Sequence, residues 1–169
     1  MHLRSATAAD VDELVAFSRQ SFTRAFGHLY AAEDLAAFLD EYRSPARFAA
    51  IIADPGKVLT VAEQDQRIAG YSTVEFGARF DARPDPHPRS PCILGQLYCE
   101  PGHGIGSALL HRAIDQARQR RCDAMQLSVY SENFGAQRFY QRFGFRHVAD
   151  IDFWVGQHRD DEFLYELPL

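Results

Sequence analysis

The chain has no long hydrophobic run, no surplus of positive charge and very little cysteine. Each shortage excludes something. No segment approaches the roughly 20 apolar residues that a membrane span needs. The opening residues, Met1-His2-Leu3-Arg4-Ser5, form no apolar signal region. A cytoplasmic protein without a membrane partner is therefore expected. Lysine and arginine total 18 against 23 aspartates and glutamates, a formal net charge of −5. Such a balance argues against nucleic acid as a partner and tolerates a cationic one. The three cysteines, Cys92, Cys99 and Cys122, lack metal-ligand spacing and cannot all pair. They read as buried thiols, with Cys122 distant from the other two.

What is present fits one domain spanning residues 1–169. Leu3 to Ala6 reads as a first strand, and Thr7 as the cap of a helix whose apolar face holds Val11, Leu14, Val15 and Phe22. A second helix begins near Ala32 with Leu35, Phe38, Leu39 and Tyr42 as its stripe. Ser44-Pro45 starts a third, with Phe48, Ile51 and Ile52 on its buried side. Val58–Ala62 and Arg67–Phe76 read as a hairpin. Residues 78–91, with Pro84, Pro86, Pro88 and Pro91, read as an exposed loop. Strands are then expected at Ile93–Cys99 and Met125–Val129, separated by a helix over Gly104–Arg121. A short helix over Asn133–Phe143, ended by Gly144, precedes two last strands at Phe145–Phe153 and Glu162–Leu167. The order is mixed α/β with a βαβ unit in its second half.

Two segments carry chemistry. In Leu97-Tyr98-Cys99-Glu100-Pro101-Gly102-His103-Gly104-Ile105-Gly106-Ser107 a strand runs through a glycine turn into a helix. That order aims free backbone N–H groups and a positive dipole end at an anion. Alone it is also an ordinary tight turn. It is not a Walker A loop, because Ile105-Gly106-Ser107 supplies no Gly-Lys-Ser/Thr. Glycines at every second position, mid-chain after a hairpin, disfavour a Rossmann fingerprint. The second segment, Asn133 to Phe145, starts a helix with a good N-cap and sets Tyr140 two turns later. Tyr140 can pack in a core, or bury its ring while offering its hydroxyl to a cleft.

In combination these segments resemble the GNAT superfamily of N-acetyltransferases. The spacing N-x-x-A-x-x-F-Y-x-x-x-G-F over Asn133–Phe145 is the more specific motif, and the glycine turn the less specific. Arg4-Ser5-Ala6-Thr7 with Asp10, and Ile68-Ala69-Gly70-Tyr71, extend the resemblance over nearly the whole chain. It implies a GNAT-like acyl-CoA N-acyltransferase fold: a mostly antiparallel mixed sheet, splayed between the fourth and fifth strands and flanked by helices. It implies acetyl-CoA as acetyl donor, no metal, and direct attack by a primary amine in a ternary complex. Leu97, Tyr98 and Cys99 would pair with the pantetheine arm. Gly102, His103, Gly104, Ile105, Gly106 and Ser107 would form the pyrophosphate loop. Asn133 would help hold the pantetheine, and Tyr140 would protonate the departing thiolate. A backbone N–H near Leu97 or Tyr98 would steady an oxyanion. Pro101 departs from the pattern, standing where the family usually has Arg or Gln, in a shorter link.

An alkylammonium group with a pKa near ~10.4 must lose a proton before it can attack. Glu75 and Glu100 are the candidate bases, although either also reads as a solvated carboxylate. Cys99 reads as a buried thiol rather than a nucleophile. The layout further resembles the bacterial branch acetylating spermidine and spermine, on Phe22-Thr23-Arg24-Ala25-Phe26, the Ala32–Tyr42 helix and the tail from Phe153 to Asp161. Glu33 and Asp34, with Asp40 and Glu41, would border the acceptor groove; Asp150, Asp152, Asp160, Asp161 and Glu162 lie near the last strands. A polycation is drawn to such a rim. Three functions stay open: acetylation of a small amine such as a polyamine; acetylation of a peptide N-terminus, lysine or antibiotic amine; and non-catalytic acyl-CoA binding. Phe163-Leu164-Tyr165 reads either as a homodimer surface or as a core strand.

Overall fold

Alternation of side chains builds the sheet in this computed structural model, which describes every residue from Met1 to Leu169. The strands are β1 (His2–Ser5), β2 (Lys57–Gln64), β3 (Arg67–Phe76), β4 (Pro91–Cys99), β5 (Ala124–Tyr130), β6 (Arg146–Val155) and β7 (His158–Pro168). They form one 7-stranded sheet in the order β1-β2-β3-β4-β5-β7-β6. Every neighbouring pair is antiparallel except β4–β5. Along β2, Leu59 and Val61 turn to one face and Ala62 to the other. Asp65 and Gln66 close the β2–β3 hairpin with φ of 51° and 61°, the left-handed pair that a two-residue hairpin turn demands.

Helices cover both faces. On one side lie α1 (Val11–Phe26), α2 (Ala32–Tyr42) and α3 (Pro45–Ala53); on the other lie α4 (Ile105–Gln119) and α5 (Phe134–Arg142). Leu14, Phe17 and Phe48 seal Leu59, Val61 and Tyr71 beneath the first group. Leu110, Ala113, Ile114 and Ala117 of α4 pack with Leu94, Met125, Leu127, Val129 and Tyr165 in the largest apolar cluster. Burial of this kind, at roughly 25 cal/mol per Å², drives the assembly. No helix is long and apolar enough to cross a membrane.

Several expectations are corrected. Thr7 caps a short 3-10 turn, Ala8–Asp10, and α1 starts only at Val11. The cause is Asp10, whose carboxylate accepts from the Thr7 N–H at 2.7 Å and from the Arg4 guanidinium at 2.7 and 2.8 Å. Ile51 and Ile52 stay half-exposed; of that stripe only Phe48 is fully buried. The proline loop is an exposed loop as expected, and it is also tied down: Phe80 N–H donates to Gln126 at 2.9 Å, and Arg83 pairs with Glu166 at 2.8 Å. Cys122 is close to Cys92 in space, both thiols in one apolar cluster whose burial raises their pKa. Phe163-Leu164-Tyr165 is not a free dimer surface, because β7 runs between β5 and β6 with Leu164 and Tyr165 buried.

Candidate active site

The site begins where β4 and β5 part. Their parallel ladder holds only for Pro91↔Ala124, Cys92↔Met125 and Ile93↔Gln126. Beyond that, β4 continues to Cys99 and β5 to Tyr130 without pairing. Just past the fork, a bulge opposite Thr73/Val74 leaves Gly95 without a register partner, a device that bends a strand and re-aims its backbone. The gap opens into a cleft of about 780 Å³. Unpaired backbone on this side of β4 is open to an extended ligand arm.

The cleft gathers part of the expected set: Leu97, Tyr98, Cys99, Asn133 and Tyr140 all line it. Asn133 serves as N-cap, its Oδ1 accepting from the Ala136 N–H at 3.1 Å. Its amide nitrogen remains available to the cleft. Tyr140 packs its half-buried ring on Phe139 and Phe145 at 5.2 and 5.6 Å. Burial raises its phenol, with Tyr98 and Cys99 adding to the rise, so at neutral pH it keeps its proton and can donate it. Burial likewise raises the Cys99 thiol, although the Gly106 N–H opposes the shift. Cys99 therefore stays a thiol rather than a thiolate nucleophile.

The glycine turn lies at the end of β4, beside the cleft lining rather than within it. Gly102, His103 and Gly104 all have positive φ, 86°, 57° and 70°. Gly104 is the N-cap of α4, and the expected helical start there moves to Ile105. No side chain caps this terminus and no acidic residue occupies its first turn. The Ile105 and Ser107 N–H groups are thus left as donors, while the Gly106 N–H also meets Cys99. The Ile105 side chain is core, only 1 % exposed, so its part in an anion loop is confined to its backbone. Gly70 makes the close packing below the turn feasible. A Cβ there would lie 2.8 Å from Cys99 Cβ and 2.9 Å from Ile105 Cγ2.

Four acidic candidates fall outside the cleft lining. Glu75 pairs with Lys57 at 3.2 Å. Glu100 is exposed, and only its backbone N–H is engaged, to Ala69. Glu33 is exposed on the first turn of α2. Asp34 accepts from the Gln157 N–H at 3.4 Å and abuts Gly156, holding the β6–β7 turn against α2. Asp150 and Asp161 are likewise engaged outside the cleft, with His147 at 2.8 Å and Arg159 at 2.7 Å. Asp152, Asp160 and Glu162 take the acidic role in the lining itself. Asp160, 4 % exposed, accepts from the Tyr30 hydroxyl and sits 3.1 Å from His158 Nε2. Burial and that bond raise the Tyr30 phenol.

Sequence reading missed Tyr30 and Arg43. Arg43 is buried in the cleft wall with no carboxylate partner, its guanidinium 5.4, 5.5 and 5.8 Å from the rings of Phe22, Phe38 and Tyr98. Such cation–π contacts partly replace lost hydration. Nothing in the local spacing signals either residue, because both reach the cleft through helix packing.

Comparison with known proteins agrees with this geometry. A family model described as Acetyltransferase (GNAT) family matches residues 19–145. An uncharacterized N-acetyltransferase of Mycobacterium tuberculosis (strain H37Rv) is 33% identical over 158 residues, covering 92% of this chain and 95% of its own. Among solved structures, the PaiA N-acetyltransferase of Thermoplasma acidophilum in complex with coenzyme A superposes with a TM-score of 0.79 at 19% identity, covering 99% of this chain and 98% of that one. The ribosomal-protein-S18-alanine N-acetyltransferase of Escherichia coli superposes with a TM-score of 0.70 at 17% identity, covering 99% and 92%.

Proposed function

The chain belongs to the GNAT acetyltransferase family, and from that premise we propose that it moves the acetyl group of acetyl-CoA to a small primary amine, with Tyr140 as the acid. The observation that carries this reading is the fork between β4 and β5, which leaves backbone donors on one wall and a proton-bearing phenol on the other. The residues fit acetyl-CoA. The α4 terminus lacks both a side-chain cap and an acidic residue, as an anion-binding end should. The pyrophosphate would meet the backbone of Gly104 to Ser107, and the pantetheine would run beside Leu97–Cys99 toward Asn133. When bound, acetyl-CoA supplies an activated acetyl thioester. Tyr140 Oη would give its proton to the leaving sulfur and be restored by the N–H proton that the amine loses as the amide forms. A backbone N–H near Leu97 or Tyr98 would hold the acyl carbonyl oxygen.

For the acceptor, the acidic wall of Asp152, Asp160 and Glu162 favours a cation, and a polyamine is the reading we adopt. A protein N-terminal amine is the second, supported by the fold likeness to the S18-alanine enzyme. Release of CoA thiol from acetyl-CoA, with spermidine, a monoamine and an alanine-initiated peptide in parallel, separates them. Turnover is expected with spermidine. Turnover of the peptide alone would favour the second reading. Acetyl-CoA binding without turnover of any amine would overturn the enzymatic assignment of this site.

A further inference from the structure

One carboxylate of the acidic wall has so far served only as negative charge. Glu162 lies on β7, opposite Tyr130 of β5 and Ile151 of β6. Alternation along β7 puts Asp160 and Glu162 on one sheet face, where Asp160 meets Tyr30, while Phe163 and Tyr165 join the α4/α5 side. Tyr140 packs with that second side. Glu162 and Tyr140 thus reach one cleft from opposite faces of the sheet. Glu162 Oε2 is buried and has no hydrogen-bond partner.

We propose that Glu162 takes the proton from the acceptor's ammonium group and so serves as the general base. This rests on the acetyltransferase reading above. The ammonium N–H bond breaks, an O–H bond forms on the Glu162 carboxylate, and the freed electron pair stays on nitrogen for attack. The proton leaves Glu162 to solvent once product departs. Burial pushes the Glu162 carboxyl up from the ordinary range, Asp160 adds to the rise, and the Ser128 hydroxyl opposes it. A raised carboxyl is a stronger base than an exposed one. Other ionisable groups in the same cleft are Tyr30, Tyr98, Tyr130 and Asp152, with His158 behind Asp160, and the cations Arg24 and Arg43.

The test uses the full chain with an amine that the wild type acetylates. Glu162→Gln is expected to lower kcat/KM about 100-fold near neutral pH, while CoA affinity measured by calorimetry stays unchanged. The deficit shrinks as pH nears ~10.4, where the free amine needs no base. Glu162→Asp recovers part of the rate, and His158→Gln keeps the acid limb of the profile. In the wild type without ligand, an infrared carboxyl band absent from Glu162→Gln titrates above the ordinary glutamate value of about 4.3. A Glu162→Gln rate equal to wild type, or a constant deficit at every pH, would overturn the assignment. Should that variant fail to bind CoA, the infrared titration decides, and an ordinary value refutes the proposal. A wild type inactive on all amines sinks the acetyltransferase reading instead.

Discussion

Single side chains decide the chemistry and also the first turn of the fold. Tyr140 holds its proton at neutral pH as an ordinary phenol does, and burial raises it further. Tyr140→Phe is expected to lower kcat about 100-fold, with CoA binding by calorimetry unchanged; equal losses in binding and rate would make Tyr140 a packing residue. Asp10 has a structural task. Arg4 holds its carboxyl well below the usual range. A depressed carboxyl contributes stability above its unfolded pKa of about 3.9, and the contribution fades as pH falls through the folded value. Asp10→Asn should therefore cost roughly 2 kcal/mol in urea unfolding at pH 7, and the gap should narrow below about pH 4. Tyr140 and Asn133 were legible because their spacing along one helix is local. Glu162 was legible only as one acid among several. Its standing depends on the pairing of β5, β7 and β6, which brings residues far apart in sequence to one cleft.

Whole elements set the geometry that these residues use. The β4–α4 junction works because Gly70 lets β3 approach Cys99 and Ile105. Gly70→Ala should cost roughly 1–3 kcal/mol by overpacking and weaken CoA binding as α4 shifts. Gly104→Ala meets no atom within 4 Å, so only its φ of 70° is penalised, at about 1 kcal/mol. Thermal melts of the two variants rank these causes; a larger loss at Gly104 would contradict the ranking. The order of elements was readable from periodicity and turn chemistry: Ser44-Pro45, the β2–β3 hairpin and Gly144 all fall where expected. Boundaries drifted where tertiary pairing overrides local signals. β6 and β7 extend toward their turn, where the Gln157 N–H donates to Asp34 of α2. The loop after β3, read from its prolines as exposed, is exposed or half-buried throughout residues 78–90, and Arg83 and Phe80 also bind it to Glu166 and Gln126.

At the scale of the molecule, α1 to α3 cover one face of the sheet and α4 and α5 the other, and the fork between β4 and β5 opens the sheet between the two layers. On the proposed reading pantetheine would lie along the wall of β4 and α5, and an amine along the acidic and aromatic wall of β7 and α1. The fork could be named from the sequence only through family resemblance, since no periodicity reports that two strands separate. A crystal structure with bound CoA tests this claim most directly. The pantetheine arm is expected beside Leu97–Cys99 between β4 and β5, the pyrophosphate at the α4 terminus and the sulfur facing Tyr140 Oη. CoA bound elsewhere, or its sulfur turned away from Tyr140 with β4 and β5 zipped together, would contradict it.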